Sequence, residues 1–175
     1  MTFSGGEPML QPEFLLETLR LCKAVGYHTT VDTSGCALSK DFDSIIPYTD
    51  LFLFDIKHLD NEEHIRFTGV SNVPILSNLS LVLNKGESVM IQFPVIPGYN
   101  DSPEHLNLLL DYISAVKTPA LKKINLLPFH KIGSTKYERL KMPYKLGDVL
   151  PPSNDKMKEL KIFFQETGVN VKIGG

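Results

Sequence analysis

Cysteine is scarce in this sequence of 175 residues, which contains only Cys22 and Cys36. Two cysteines exclude a disulfide-dense secreted scaffold, which needs several bridges. They are also too few for an iron–sulfur cluster, whose irons usually take three or four thiolates. The sequence does not open on the basic and apolar segments of a signal peptide. We therefore expect a cytoplasmic protein with reduced thiols.

Long apolar runs and an excess of one charge are also missing. No apolar stretch approaches the roughly 18 residues of a membrane span, so we expect no association with a membrane. The chain has 18 basic and 20 acidic residues, a formal net charge of −2. This balance argues against a nucleic-acid partner, because nucleic-acid-binding domains are usually basic. At about 150 residues per domain, the length predicts a single domain over residues 1–175.

Several catalytic fingerprints are absent as well. The sequence contains no G-x-G-x-x-G, no G-x-x-x-x-G-K-[ST], no H-E-x-x-H and no G-x-S-x-G. These absences leave no motif support for a dinucleotide site, a P-loop, a zinc protease or a nucleophile elbow.

The pattern that is present is an alternation of strands and helices. Short apolar runs alternate with segments of helical period, which predicts βα units around a parallel sheet. The predicted strands are Met1–Ser4, Tyr27–Thr33, Leu51–Lys57, Val89–Ile96, Lys123–Pro128 and Val169–Ile173. The predicted helices are Pro12–Val25, Pro74–Leu83, Pro103–Val116 behind a Ser102 cap, and Ser153–Thr167, and Asp41–Ile46 is predicted to be a short helical or irregular piece. A loop rich in Lys, Gly and Pro precedes the last helix.

Polar and turn-forming residues follow five of the predicted strands. In parallel α/β sheets, ligands bind at the carboxyl ends of the strands. The five segments are Ser4–Pro8, Asp32–Gly35, Asp55–His58, Pro97–Asp101 and Pro128–His130. Each has a plain structural explanation, such as a turn at Gly5-Gly6, a salt bridge between Asp55 and Lys57, or a buried His130. Taken together, they predict one site built from all five strand ends.

Six segments occur in the same order in the activating enzymes of glycyl radical enzymes. They are Thr2–Pro8, Asp32–Gly35, Asp55–Lys57, Thr68-Gly69 with Asn72, Pro94–Asp101 and Leu126–His130. The chain resembles this family of radical S-adenosylmethionine (SAM) proteins over nearly its whole length. The resemblance implies an α/β fold, an incomplete parallel (β/α) barrel of the radical SAM type with its first βα unit missing. It also implies an oxidoreductase that generates a glycyl radical on a partner enzyme such as pyruvate formate-lyase.

The resemblance implies contacts between SAM and nine residues. They are Ser4, Gly5, Gly6, Glu7, Asp32, Thr33, Asp55, Lys57 and His130. The segment 4–7 would receive the amino group of SAM, largely through backbone oxygens. Lys57 would pair with its carboxylate or ribose, and His130 would be a further contact.

Asp32, Thr33 and Asp55 resemble the polar pocket beside the SAM carboxylate, where relatives can hold a monovalent cation. The resemblance assigns no catalytic side chain and no metal ligand within this chain. Orienting a sulfonium zwitterion requires acceptors for its ammonium and a cation for its carboxylate, and the nine residues supply both.

The sequence departs from the family at two points. Gln92 stands where the family commonly has an arginine, and no C-x-x-x-C-x-x-C cluster loop precedes Gly5-Gly6. We therefore expect the chain to correspond to the carboxy-terminal part of an activating enzyme, inactive by itself, with SAM as its cofactor. A [4Fe–4S] cluster would belong to the full-length protein only. The implied partners are a glycyl radical enzyme and a flavodoxin or ferredoxin-type electron donor, and we expect the fragment to self-associate.

Two other functions remain open from the residues alone. The first is a binding module that keeps SAM or partner contacts without catalysis. The second is an unrelated barrel aldolase or isomerase, in which Lys57 would form a Schiff base or act as a general base. The second requires a neutral lysine, whereas Asp55 on the same strand face should keep Lys57 charged.

Overall fold

The computed structural model describes residues 1–131, 139, 141 and 146–174. Its six strands form one parallel sheet in the order of the sequence, which confirms the predicted topology. The strands are β1 (Thr2–Phe3), β2 (Thr30–Thr33), β3 (Leu51–Asp55), β4 (Val89–Val95), β5 (Leu121–Pro128) and β6 (Val171–Ile173). Within the described residues β1 and β6 do not pair, so the sheet stays open, as expected of an incomplete barrel.

Six helices connect or follow these strands in the described part of the chain. They are α1 (Pro12–Ala24), α2 (Ser39–Ile45), α3 (Asn61–Thr68), α4 (Val73–Asn84), α5 (Pro103–Val116) and α6 (Asn154–Gln165). Short 3-10 turns lie at Pro8–Leu10 and Ile46–Tyr48. Among the described residues, no helix has both the length and the apolarity to cross a membrane.

The predicted helices are present with small shifts at their ends, but α3 was not predicted. Its start had a local signal, because the side chain of Asp60 accepts a hydrogen bond from the Glu63 backbone N–H at 2.9 Å. An aspartate followed three residues later by a glutamate is typical of a helix N-terminus. Gly69 closes the helix in the left-handed region, with a φ of 83°.

Strand β2 begins three residues later than predicted. Gly26 has a φ of 81° and the backbone N–H of Tyr27 still bonds to the Cys22 carbonyl, so these residues close α1. Strand β6 likewise begins at Val171, because the N–H of Val169 bonds to the Thr167 hydroxyl that ends the preceding helix. At the start of both β2 and β6, the hydrogen bonds that close the preceding helix therefore compete with strand pairing. Most of the loop predicted before α6 lies outside the described residues.

The two faces of the sheet differ in polarity. Along β4, Val89, Ile91, Phe93 and Val95 are fully buried and join the apolar core that the helices cover. The alternate residues, including Gln92, are half-buried on the opposite face. We call this face, which would line the inside of the incomplete barrel, the concave face. This period of two is what a strand imposes, and it places every second residue of β3 to β5 on the same concave face.

Asp50 connects α1 to the loops before β2 and β3. Its Oδ1 accepts from Lys23 Nζ at 2.6 Å, and its Oδ2 accepts from the backbone N–H and the hydroxyl of Thr29 at 2.8 and 3.1 Å. The Lys23 ammonium and the Thr29 N–H lower the pKa of Asp50 from 3.8 to about 2. The ionised carboxylate is therefore favoured in the folded protein.

We expect Asp50→Asn to lower the free energy of unfolding by about 1 kcal/mol at neutral pH, a value reduced for the partial exposure of the Asp50–Lys23 pair. The contribution of a carboxylate with a lowered pKa is complete above about pH 4 and is lost as the pH falls toward 2. Urea titrations at pH 7 and pH 2.5 should therefore show a clearly smaller difference between the two proteins at pH 2.5 than at pH 7. An equal difference at both values would contradict the assignment.

Candidate functional site

Glu7 holds the loop after β1 against the end of β2. Its Oε1 accepts from the Thr33 hydroxyl at 2.7 Å and from the Met9 N–H at 3.1 Å. Its Oε2 accepts from the N–H and the hydroxyl of Ser34 at 2.8 and 2.6 Å. Both carboxylate oxygens are thus used within the protein, and so is the buried hydroxyl of Thr33. Glu7 and Thr33, both predicted to contact the ligand, would therefore serve it by shaping the loop.

The loop that Glu7 holds exposes its backbone. Ser4, Gly5 and Gly6 are all exposed, and the two glycines have φ values of 93° and 61°. A Cβ at either glycine would meet no atom within 4 Å. Glycine is therefore needed here for the backbone conformation, which leaves N–H and C=O groups open to a ligand.

Asp32 connects three strands on the concave face. Its Oδ2 accepts from the Ser4 hydroxyl at 2.8 Å, and its Oδ1 accepts from Gln92 Nε2 at 3.3 Å. From the sequence, Gln92 is only a departure from the family, whereas in the structure it donates a hydrogen bond to Asp32, a predicted site residue. Its neutral amide stabilises the Asp32 carboxylate by donation and adds no charge to the pocket.

Asp55 and Lys57 form an ion pair beside this group, with 3.5 Å between Lys57 Nζ and Asp55 Oδ2. Burial raises the pKa of the Asp55 carboxyl, and the negative charges of Asp32 and Glu7 add to the increase. Lys57 opposes it. Three carboxylates and one ammonium therefore share the strand ends, which suits a ligand with both cationic and anionic groups.

We expect Asp55→Asn to stabilise the ligand-free protein by up to about 1 kcal/mol at pH 7. A carboxyl whose pKa is raised on folding makes the folded state less favourable above that pKa, and the amide removes this cost. Thermal unfolding at pH 7 and pH 4 checks the sign, because the gain should shrink at the lower pH. A destabilised variant would show that the Lys57 pair outweighs burial.

His130 follows β5 at the same end of the sheet and is exposed. The structural explanation that it is a buried histidine is therefore wrong. Residues 132–138 lie outside the described residues, so the predicted contact between His130 and SAM stays a prediction.

A row of polar side chains crosses the concave face below these groups. Strand register places Asp55 beside Gln92, Gln92 beside Asn125, and Asn125 beside Lys172. Asn125 is buried, and its Oδ1 has no hydrogen-bond partner among the described residues. The period of two along β4 and β5 could have predicted from the sequence that these side chains share one face of the sheet. The register that sets them beside one another depends on the tertiary structure.

The residues present do not fit an iron–sulfur cluster. Cys22 is buried on α1, and Cys36 is half-buried in the segment after β2. Among the described residues, no group of three or more His, Cys, Asp or Glu side chains is placed to hold a metal ion. No step of the chemistry is therefore assigned to a cluster held by this chain.

Comparison with known proteins identifies the class to which this fold and site belong. The model of the radical SAM superfamily matches residues 1–109. The chain belongs to this superfamily, whose members use SAM and a [4Fe–4S] cluster.

Within the superfamily, its relatives are glycyl radical enzyme activating enzymes. The trans-4-hydroxy-L-proline dehydratase activating enzyme of Clostridioides difficile is 37% identical over 100% of this chain and 58% of its own length. The pyruvate formate-lyase-activating enzyme of Clostridium pasteurianum is 39% identical over 95% of this chain and 68% of its own. The chain thus spans 58% of the length of the first of these relatives and 68% of the second.

A solved structure supports the same relation. A domain of the pyruvate-formate lyase-activating enzyme from Bacteroides vulgatus ATCC 8482 superposes with a TM-score of 0.84 at 29% identity. The match covers 100% of this chain and 98% of that one. The open six-stranded sheet is therefore shared with a solved activating-enzyme domain.

Proposed function

We propose that this chain is the SAM-binding, carboxy-terminal part of an activating enzyme that generates a glycyl radical on a partner enzyme. The observation that carries the proposal is a group of three acidic side chains, Glu7, Asp32 and Asp55, at the ends of β1 to β3, with Lys57 paired to Asp55 at its rim. We call this group the pocket. Family membership supports the same function. SAM, when bound, supplies the one-electron chemistry of the family, and the chain's own residues hold and orient it.

The pocket can recognise both ends of the amino acid part of SAM. The ammonium would meet Asp32 and the open backbone oxygens of the segment 4–6, while the carboxylate would meet Lys57. The cationic sulfonium would be favoured by the summed charge of Glu7, Asp32 and Asp55. Because Glu7 and Asp32 are already held by hydrogen bonds, the pocket needs little rearrangement on binding.

The proposal leaves the [4Fe–4S] cluster outside this chain, because two cysteines do not supply its ligands. The chain alone is proposed to be inactive. The shortage of cysteines also favours a second candidate function, a module that binds SAM or a partner without catalysis. Both candidates expect no glycyl radical when the chain is added to a glycyl radical enzyme with SAM and a reductant, so a radical signal in this assay would contradict the proposed inactivity.

The proposed partners follow from the family. The relatives' names include three different target enzymes: trans-4-hydroxy-L-proline dehydratase, pyruvate formate-lyase and 4-hydroxyphenylacetate decarboxylase. A glycyl radical enzyme is therefore proposed as the protein substrate, without a choice among them. A flavodoxin or ferredoxin-type donor and a cytoplasmic location, consistent with two free thiols, complete the proposal.

SAM titration tests the proposed function. Amide signals of the chain should shift on addition of SAM, first at Gly5, Gly6, Asp32 and Lys57, with weak but saturable binding. Methionine and adenosine, added separately, should bind more weakly than SAM, because each fills only part of the pocket. Shifts confined to residues away from these strand ends would reject the proposal.

Self-association of the chain is also proposed, through the outer side of α1. Phe14, Leu21 and Val25 are exposed on the side of α1 away from Lys23, which faces Asp50 and the next strands. Helix α1 follows β1, the open edge of the sheet, along the chain. Two copies of α1 packed antiparallel would place Phe14 of one against Leu21 of the other, so the face is complementary to itself.

Light scattering at tens of micromolar should therefore show dimers or larger species, since exposed apolar faces and open edges favour association. Leu21→Lys should return the protein to monomers, whereas Ile162→Lys, at an exposed position on α6, should not. Monomers in the unaltered protein would contradict the prediction.

A further inference from the structure

The segment 57–59 leaves the sheet and carries Lys57, yet side chains from other elements hold its backbone. Strand β3 ends at Asp55, and Ile56 makes the last bond to β4, from its N–H to the Gln92 carbonyl at 2.9 Å. Beyond this bond, the side chain of Asn100 holds the backbone. Its Nδ2 donates to the carbonyl of Lys57 at 3.0 Å and to the carbonyl of Pro94 at 2.7 Å.

Two further side chains hold the rest of the segment. Asn72 Nδ2 donates to the carbonyls of His58 and Leu59 at 3.1 and 2.6 Å. His105 Nε2 accepts from the Leu59 N–H at 3.0 Å, which places the ring proton on Nδ1, and Nδ1 donates to the Asn100 carbonyl at 2.8 Å. Every backbone carbonyl from residue 57 to residue 59 thus accepts a hydrogen bond from an asparagine side chain.

The three side chains are buried, which makes these bonds costly to break. Asn72, Asn100 and His105 are 3%, 3% and 4% exposed. The ring of His105 also stacks on His58 with 4.0 Å between ring centroids. In a low-dielectric interior, satisfied polar networks are strong and leave the backbone little freedom.

Lys57 itself has no comparable restraint. Its side chain is 43% exposed, and its ion pair with Asp55 at 3.5 Å is of the exposed type that contributes little. The backbone of Lys57 therefore sets where its side chain begins and which way its Cα–Cβ bond points, and so the region that the ammonium can reach.

We propose that Asn72, Asn100 and His105 are positioning residues that hold Lys57 at the rim of the pocket. We call these three residues the 57–59 clamp. The inference rests on the proposed SAM site and extends it. It also gives a role to Asn72 and to the Pro94–Asp101 segment, which the sequence marked without assigning a function.

The test uses the titration of Asp55, because Lys57 lowers the pKa of Asp55 only while its ammonium is close. Carbon-13 NMR of the Asp55 carboxyl should show a higher pKa in Lys57→Met. Asn100→Ala should raise the same pKa in the same direction, and should have no further effect when Lys57 is already Met. A purely structural role for Asn100 would not produce this dependence on Lys57.

A matched control is available in Asn78, another buried asparagine whose Nδ2 bridges two carbonyls, those of Gly35 and Ala37. Asn78→Ala should destabilise the fold and leave the pKa of Asp55 unchanged. If Asn100→Ala does not fold, Asn72→Ala carries the same test through the neighbouring carbonyls.

SAM binding provides an independent readout. Asn100→Ala should weaken it about fivefold, and less than twofold in the Lys57→Met background, because coupled residues lose their effect together. An unchanged Asp55 pKa, or equal losses in both backgrounds, would overturn the clamp. If the unaltered chain binds no SAM, the proposed function fails, and the Asp55 titration still decides whether the clamp positions Lys57.

Discussion

Lys57→Met should raise the dissociation constant for SAM by about tenfold or more. The lysine is the one cationic side chain paired at this rim among the described residues, and its ammonium is the expected partner of the SAM carboxylate. A hydrogen bond between charged groups contributes about 1.5–3 kcal/mol, which corresponds to roughly 10- to 150-fold in affinity. Methionine keeps the length and apolar character of the side chain. Isothermal titration at fixed ionic strength would measure the loss.

Lys85→Met is the matched control for this experiment. Lys85 pairs with Asp43 at 3.4 Å and is 53% exposed, so its geometry resembles that of the Lys57 pair. It lies at the end of α4, away from the strand ends that hold the site. SAM affinity should be unchanged in this variant. Equal affinity in Lys57→Met and the unaltered chain would remove Lys57 from the site.

Glu7→Ala should lower the free energy of unfolding by about 2–3 kcal/mol and should abolish measurable SAM binding. Four donors lose their acceptor at once: the N–H groups of Met9 and Ser34 and the hydroxyls of Thr33 and Ser34. Leaving buried or half-buried donors unpaired costs more than the bonds themselves contribute. The segment 4–6 would then no longer be held where its backbone can meet a ligand.

Urea unfolding of three variants gives the comparison. Glu7→Gln should fall between the unaltered protein and Glu7→Ala, because it keeps one oxygen acceptor but turns an NH2 group toward existing donors. Glu13→Ala, at an exposed acidic position in the first turn of α1, should change the midpoint little. Identical midpoints for Glu7→Ala and Glu13→Ala would show that the network around Glu7 contributes nothing to stability.

The expected results distinguish three kinds of residue in the site. Lys57 is exposed, so its replacement should affect binding much more than folding. Glu7 uses its carboxylate within the protein, so its replacement should affect both. Asp55 differs from each, because its burial makes the ligand-free fold less stable. Binding sites commonly retain such destabilising groups, since the charge that disfavours folding is the one that recognises the ligand.

The sequence by itself predicts much of the fold of this protein and the place of its candidate site. Alternating apolar runs and helical periods predicted the parallel order of six strands, because these periods are local properties of backbone geometry. Polar segments after the strands predicted where a site would form, since all parallel strands end at one edge. Among the helices of the described residues, α3 is the one that was missed, and it had its signal at Asp60 and Glu63. The ordered segments also indicated the superfamily, which the comparisons confirm.

Only the tertiary structure decided how the polar atoms are paired. Glu7 meets Thr33 and Ser34, Asp32 meets Gln92, and Asn100 meets Lys57, across separations of 26 to 60 residues. No local pattern encodes such pairs, because they depend on strand register and on which loop lies beside which. The sequence therefore predicted the residues of the candidate site, while the register and the loop contacts decided which of their side chains bond to one another and which stay exposed.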